Sequence, residues 1–197
     1  MDDYARDCAF PLLGRRTYLH GTTLFDAMLE YAPAGADLGF RIPHRIDSDR
    51  VRLVKHVSKL VDRSLASLVW TLDDDVGSVV AEPLDASEVP ARMDYPENRV
   101  TEGLEITSSS VTLRSAVGMS FVSTLIPMFK ALLRGAPAQQ AGGQWMFTRL
   151  DVGYPAPDFT SLTLRSDALI AGKMARAAIE VGESKVGEIY FSWVTSK

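Results

Sequence analysis

Histidine and cysteine are scarce in this chain: three His and one Cys in 197 residues. A single cysteine forms no internal disulfide, so Cys8 reads as a small buried hydrophobe or, with a base beside it, as a nucleophile. The absence of disulfides fits a reducing, cytoplasmic setting. No H-x-x-x-H or C-x-x-C spacing occurs, which argues against a metal centre. No phosphate loop, G-x-S-x-G elbow or dinucleotide fingerprint occurs either, so no cofactor is expected. The run from Gly182 to Gly187 resembles such a loop, but it joins two strands rather than a strand and a helix.

Basic charge is not in excess. The 21 Lys and Arg face 25 Asp and Glu, a net charge of −4, which argues against broad nucleic-acid binding. No uncharged apolar run reaches the roughly 18 residues of a membrane span; the nearest, Val117 to Leu133, is interrupted by Lys130. The acidic N-terminus has no apolar stretch behind it, unlike a secretory signal.

What remains is a globular composition, 46% hydrophobic and 23% charged. Its length suits one domain or two small fused ones. The first regular element begins at His20. Thr22 or Thr23 can cap a helix there, and Thr23-x-x-Asp26 resembles a capping box with Asp in place of Glu. Leu24, Ala27, Met28 and Tyr31 follow helical spacing, and Pro33-Ala-Gly35 ends it. Strands are then expected over Leu38–Ile46, Arg50–Ser58, Leu65–Leu72 and Val76–Glu82, with a turn at Asp73-Asp-Asp75. Pro83 to Asn98 lacks periodicity and reads as a connector.

The second half repeats that order. Ser109 or Ser110 can cap a helix from Val111 to Arg134, roughly 36 Å long and apolar nearly all round. Gly135 and Pro137 end it, and Gly118 and Pro127 predict a bend or break. Strands follow over Gln144–Val152, Ser161–Leu169, Lys173–Val181 and Lys185–Val194. The stretch Pro43 to Gly77 overlies Pro155 to Gly187 at an offset of about 110 residues, by order and spacing rather than identity. The boundary between the halves falls near residues 95 and 96, giving an N-terminal half 1–95 and a C-terminal half 96–197.

A long apolar helix followed by four antiparallel strands, with the bend Asp151-Val-Gly-Tyr-Pro-Ala-Pro157, resembles the hotdog superfamily. The resemblance implies an α+β fold in which a central helix is wrapped by an antiparallel sheet, here twice in tandem. The start of the first helix resembles two members of that superfamily. Gly21, Leu24, Asp26 and Ala27 match the helix opening of acyl carrier protein dehydratases. His20, Gly21 and Asp26 match the His-Gly-Gly opening of many thioesterases. The chain departs from both: His20 replaces the dehydratase Pro, Asp26 its Glu, and Thr22 the second Gly of the thioesterase pattern.

The resemblance implies chemistry on acyl thioesters of CoA or a carrier protein, in fatty acid or polyketide metabolism. Thioester hydrolysis and 3-hydroxyacyl dehydration both stay open. A non-catalytic acyl-binding protein and a partner subunit of a hotdog enzyme also stay open, and a homodimer is compatible with any of them. His20 and Asp26 are the candidate catalytic groups. Free N–H groups and partial positive charge at a helix start can stabilise an oxyanion, and a nearby carboxylate can act as base. Gly21, Thr22 and Glu30 are candidate substrate contacts, with Glu30 four residues beyond Asp26 and so on its face. Arg114 and Arg149 are candidate partners of a substrate phosphate. The plainer readings are that Asp26 only completes a capping box, that His20 is a turn residue, and that Glu30, His44 and His56 lie at the surface.

Overall fold

The computed structural model describes residues 4–57, 64–134, 143–154, 159, 161–170 and 173–195. It divides into two compact units, Met1–Tyr95 and Pro96–Lys197.

The first unit runs β1 (Tyr4–Ala9), β2 (Leu12–Leu13), α1 (Gly21–Leu29), β3 (Asp37–Arg41), β4 (Arg50–Val57), β5 (Ala66–Leu72), β6 (Asp75–Pro83) and β7 (Arg92–Met93). Five strands form an antiparallel sheet in the order β1-β4-β6-β5-β3. Alternation places Val51 and Leu53 of β4, and Ala66, Leu68 and Trp70 of β5, in the core. α1 lays Leu24, Phe25 and Met28 into that core, with the Phe25 ring edge-on to Phe40 at 5.5 Å. The β5–β6 hairpin turns at Asp73, whose φ of 52° is a left-handed conformation that Asp tolerates in tight turns.

The second unit runs α2 (Glu97–Thr101), β8 (Leu104–Ile106), β9 (Ser110–Leu113), α3 (Phe121–Leu133), β10 (Gly143–Gly153), β11 (Leu162–Ile170), β12 (Met174–Val181) and β13 (Ser184–Thr195). Its strand order is β10-β13-β12-β11-β9-β8. α3 packs on β8, β9 and β11. Its Phe129 ring stacks on Phe191 of β13 at 4.3 Å.

A helix on an antiparallel sheet is the α+β arrangement that the hotdog resemblance implies, but the helices are short. α1 has 9 residues and α3 has 13, so α3 spans about 20 Å rather than 36 Å. The expected helix from Val111 begins instead as strand β9: Val111, Thr112 and Leu113 alternate in burial and suit a pleated surface. Gly118, with φ of 71°, lies in the irregular segment that follows. Ser120 then caps α3, accepting a hydrogen bond from the Ser123 N–H at 3.3 Å. The helix continues through Pro127.

β10 carries a second departure from simple alternation. Its pairing with β13 shifts between Phe147 and Arg149, so Thr148 is an extra residue in the strand. Core positions pass from Phe147 to Leu150 and Val152, and Arg149 leaves the face of Phe147. Strand β1 and the ribbon of β2 with β7 are also additional to the expected elements. Gly135, Pro137 and the Pro155–Pro157 bend lie outside the described residues.

Candidate functional site

His20 is the N-cap of α1, in extended conformation, and only 7% exposed. The capping box expected from Thr23 and Asp26 is displaced, because the N-cap lies three residues earlier, at His20, and the helix starts at Gly21. No side chain caps that start, and its first turn holds no acid. The hydroxyl of the fully buried Thr22 is engaged elsewhere: it lies 2.7 Å from His20 Nδ1. That contact ties one imidazole nitrogen to the helix that His20 begins. Whichever of the two atoms donates, the ring is held through Nδ1.

The ring is also held from the side. Tyr95 meets it at 5.3 Å between centroids, with the planes tilted by 51°. The Arg16 guanidinium carbon lies 5.0 Å from the Tyr95 centroid. The loop into α1 is fixed by a bridge in which the Leu19 N–H donates to Ile46 O at 2.9 Å. These contacts keep a polar ring in a buried place at the end of a helix where backbone N–H groups converge.

Asp26 is half-buried on the less buried stripe of α1 that also carries Thr23. It lies within α1, six residues beyond His20 in the chain. Gly21 is the first residue of the helix, where a missing side chain leaves the backbone open to approach.

The other sequence candidates lie apart from this arrangement. Glu30 is the C-cap of α1, exposed, and paired with Arg6 at 3.3 Å. It satisfies a surface cation instead of extending the polar end of the helix. Arg114 is not at a helix start: it follows β9 and forks onto Glu105 of the neighbouring strand, its Nη2 donating at 2.7 Å. At 72% exposure it is a surface ion pair. Arg149 follows the β10 bulge, pairs with Asp151 at 2.6 Å and covers the Tyr190 ring at 4.8 Å. Tyr95 and Arg16 are the residues that sequence reasoning missed. An aromatic at the end of a polar connector was the available signal.

Among the described residues, no three His, Cys, Asp or Glu side chains gather as a metal site. No described helix is long and apolar enough to cross a membrane.

No protein-family model and no curated protein matches the chain. Several solved structures are similar to it. The bifunctional dehydratase-cyclase domain of ambruticin biosynthesis is 16% identical, with 90% of this chain and 83% of that one covered and a TM-score of 0.49. An acyl-ACP thioesterase from Bacteroides thetaiotaomicron is 11% identical, with 98% of each chain covered and a TM-score of 0.48. A trans-AT polyketide synthase dehydratase domain from Brevibacillus brevis is 11% identical, with 99% and 93% covered and a TM-score of 0.44. These likenesses are of outline alone, and the chain's chemistry has to be argued from its own residues.

Proposed function

We propose that the chain acts on an acyl thioester, carried on CoA or a carrier protein, and that hydrolysis is the reaction its site serves best. The observation that carries this reading is the buried His20 at the uncapped start of α1, tied through Nδ1 to Thr22. In this reading the acyl carbonyl oxygen meets the N–H groups of the first turn. The His20 imidazole takes a proton from water as its oxygen bonds to the carbonyl carbon. The charge on the carbonyl oxygen is held by the backbone dipoles as it develops. Collapse breaks the carbon–sulfur bond, and the departing thiolate takes the proton from the imidazolium. The products are a free acid and a thiol, and no redox partner is needed.

Dehydration is less well served. It requires a base and an acid acting on adjacent carbons of one substrate, whereas hydrolysis needs one base and the helix start. A second reading of hydrolysis takes Asp26, half-buried on α1, as the base.

The test is a mass-spectrometric screen of the purified protein against saturated, 3-hydroxy and enoyl thioesters, on CoA and on a carrier protein. Release of free thiol that is lost in His20→Asn and retained in Asp26→Asn supports the first reading; the opposite pattern supports the second. Loss or gain of water without thiol release identifies a dehydratase. No turnover across the panel leaves an acyl-binding protein or a partner subunit of an enzyme.

A further inference from the structure

We propose that the β1 edge of the first unit's sheet carries a binding site for a nucleoside phosphate, made by Tyr4, Arg6 and Lys55 beside the C-terminal end of α1. It lies away from the start of α1 and does not rest on the reaction assigned to His20.

The register of β1 and β4 sets the direction of these side chains. Residues opposite each other in an antiparallel pair project to the same side of the sheet. Tyr4 is opposite Lys55, and Arg6 is opposite Leu53. Leu53 is fully buried, so Tyr4, Arg6 and Lys55 also project to the core side. The helix does not cover them there. α1 packs on β5, three places in from β1, and β1 stays exposed along almost its whole length. Tyr4 is 59% exposed on a side of the sheet that elsewhere is core.

The side chains gathered here are cations set on aromatic rings. Lys55 Nζ lies 5.5 Å from the centre of the Trp70 ring. The two residues sit on strands separated by β6, and Gly77 of β6, opposite Trp70, leaves the space that the indole fills. Arg6 lies over Tyr31 at 5.9 Å, and the Tyr31 ring meets Tyr4 at 6.2 Å. The acid here is Glu30, and it pairs with Arg6. Lys55 is half-buried and meets no carboxylate among the described residues. The Tyr31 hydroxyl oxygen is buried with no hydrogen-bond partner among the described residues. Burial holds that phenol above its ordinary pKa, so it keeps its proton and can donate. An unmatched ammonium and an unmatched hydroxyl, both next to Tyr4, call for an acceptor.

The ligand that answers these features is anionic at one end and a flat ring at the other. Its phosphate meets the Lys55 ammonium and the Arg6 guanidinium, and its base lies on the open face of Tyr4. An inorganic anion would leave the Tyr4 ring bare, and an uncharged ring would leave Lys55 unmatched. Two sources supply this chemistry: a free nucleotide, and the nucleotide end of CoA.

The test is calorimetric titration of the full chain with ADP, CoA, adenosine and pyrophosphate. ADP and CoA are expected to bind, and adenosine and pyrophosphate to bind roughly tenfold or more weakly than ADP. Lys55→Met keeps the stem, removes the charge and is expected to weaken ADP roughly 10- to 100-fold, with Lys55→Arg restoring most of the loss. Tyr4→Ala is expected to weaken ADP roughly 5- to 100-fold, and Tyr4→Phe to leave it unchanged. Tyr4→Ala carries the test if Lys55→Met does not fold. Arg165→Met removes the same charge from the second unit and is expected to bind as the wild type does. CoA binding tighter than ADP supports the site as the seat of the CoA nucleotide, and equal binding supports a free nucleotide. A wild type that binds neither overturns the proposal. So does pyrophosphate bound as tightly as ADP, a folded Lys55→Met with wild-type affinity, or an Arg165→Met as impaired as Lys55→Met. Binding is read without turnover, so a protein that binds ADP and releases no thiol keeps this site and loses the reaction proposed above.

Discussion

The two units begin their main helices in opposite ways. α3 starts at Ser120, whose hydroxyl takes the Ser123 N–H and whose backbone carbonyl takes the Thr124 N–H and hydroxyl. α1 starts at His20 with no side-chain cap. The hydroxyl of Thr22, on its first turn, contacts an imidazole. One start is built to be satisfied by its own chain. The other spends its local hydroxyl on orienting a histidine. In the proposed reading, that difference separates a helix end that supports the fold from one that meets the substrate.

The units also differ in wiring. Each has a helix followed by four strands, and in each the first of those strands ends up far from the second. In the second unit β11, β12 and β13 follow as neighbours. In the first unit β4 pairs with β6, so the chain passes over one sheet position to make β5 and then returns to fill it. The glycines that overlie each other in sequence therefore have different tasks. Gly77 lies opposite Trp70, and a Cβ there would come within 2.3 Å of the indole. A Cβ on Gly187 would come within 2.3 Å of the Asp151 carbonyl oxygen, a backbone atom of the neighbouring strand.

The largest effect should come from breaking the polar start of α1. His20→Asn is expected to lower thiol release roughly 100- to 10,000-fold, with the melting temperature almost unchanged. Next comes the glycine comparison. Gly187→Ala should cost about 2–4 kcal/mol of stability, because backbone has to move, and Gly77→Ala about 1–3 kcal/mol, because a side chain can shift. Paired denaturant titrations measure both, and equal losses would mean that the two sites are equally rigid.

A smaller effect is expected at Asp49, which is buried and takes the Ser87 N–H at 2.8 Å, fastening the connector to the first unit. Burial alone would push its carboxyl up, but hydrogen bonds from Ser87 and from its own amide outweigh that and hold it below the ordinary carboxylate range. A lowered folded value stabilises above the ordinary pKa and loses that contribution as pH falls through the folded value. Asp49→Ala should therefore cost roughly 1–3 kcal/mol near neutral pH. The gap to wild type should narrow in acid, as melting curves across pH would show. The smallest effect belongs to the support end: Ser120→Ala should cost about 1 kcal/mol and leave thiol release untouched.

Much of this fold was legible in the chain. β4, β5 and β11 to β13 alternate in side-chain character, and α1 follows helical spacing, so local pattern and tertiary burial agree. Where they parted, a non-local term decided. Val111 to Leu113 abuts an apolar run and looks helical in a window, yet it pairs with β11 as a strand. β1 is exposed along almost its whole length, so no alternation marks it, and only its ladder with β4 makes it a strand. The bulge at Thr148 and the crossed order of β4 to β6 depend on partners distant in sequence. His20 and Thr22 were visible as a helix opening. Their contact was not, because it depends on the helix beginning at Gly21 and not after Thr23. Tyr95 was hidden for a similar reason, since it reaches His20 through a ribbon of two residues a side.

The most direct test of the difference between the two helix starts is thiol release and melting temperature measured together for wild type, His20→Asn and Ser120→Ala on the same thioester. The account predicts that His20→Asn loses turnover and keeps its stability, while Ser120→Ala loses stability and keeps its turnover. A His20→Asn protein that melts early and still releases thiol at the wild-type rate would contradict it, and would return His20 to the role of a buried turn residue.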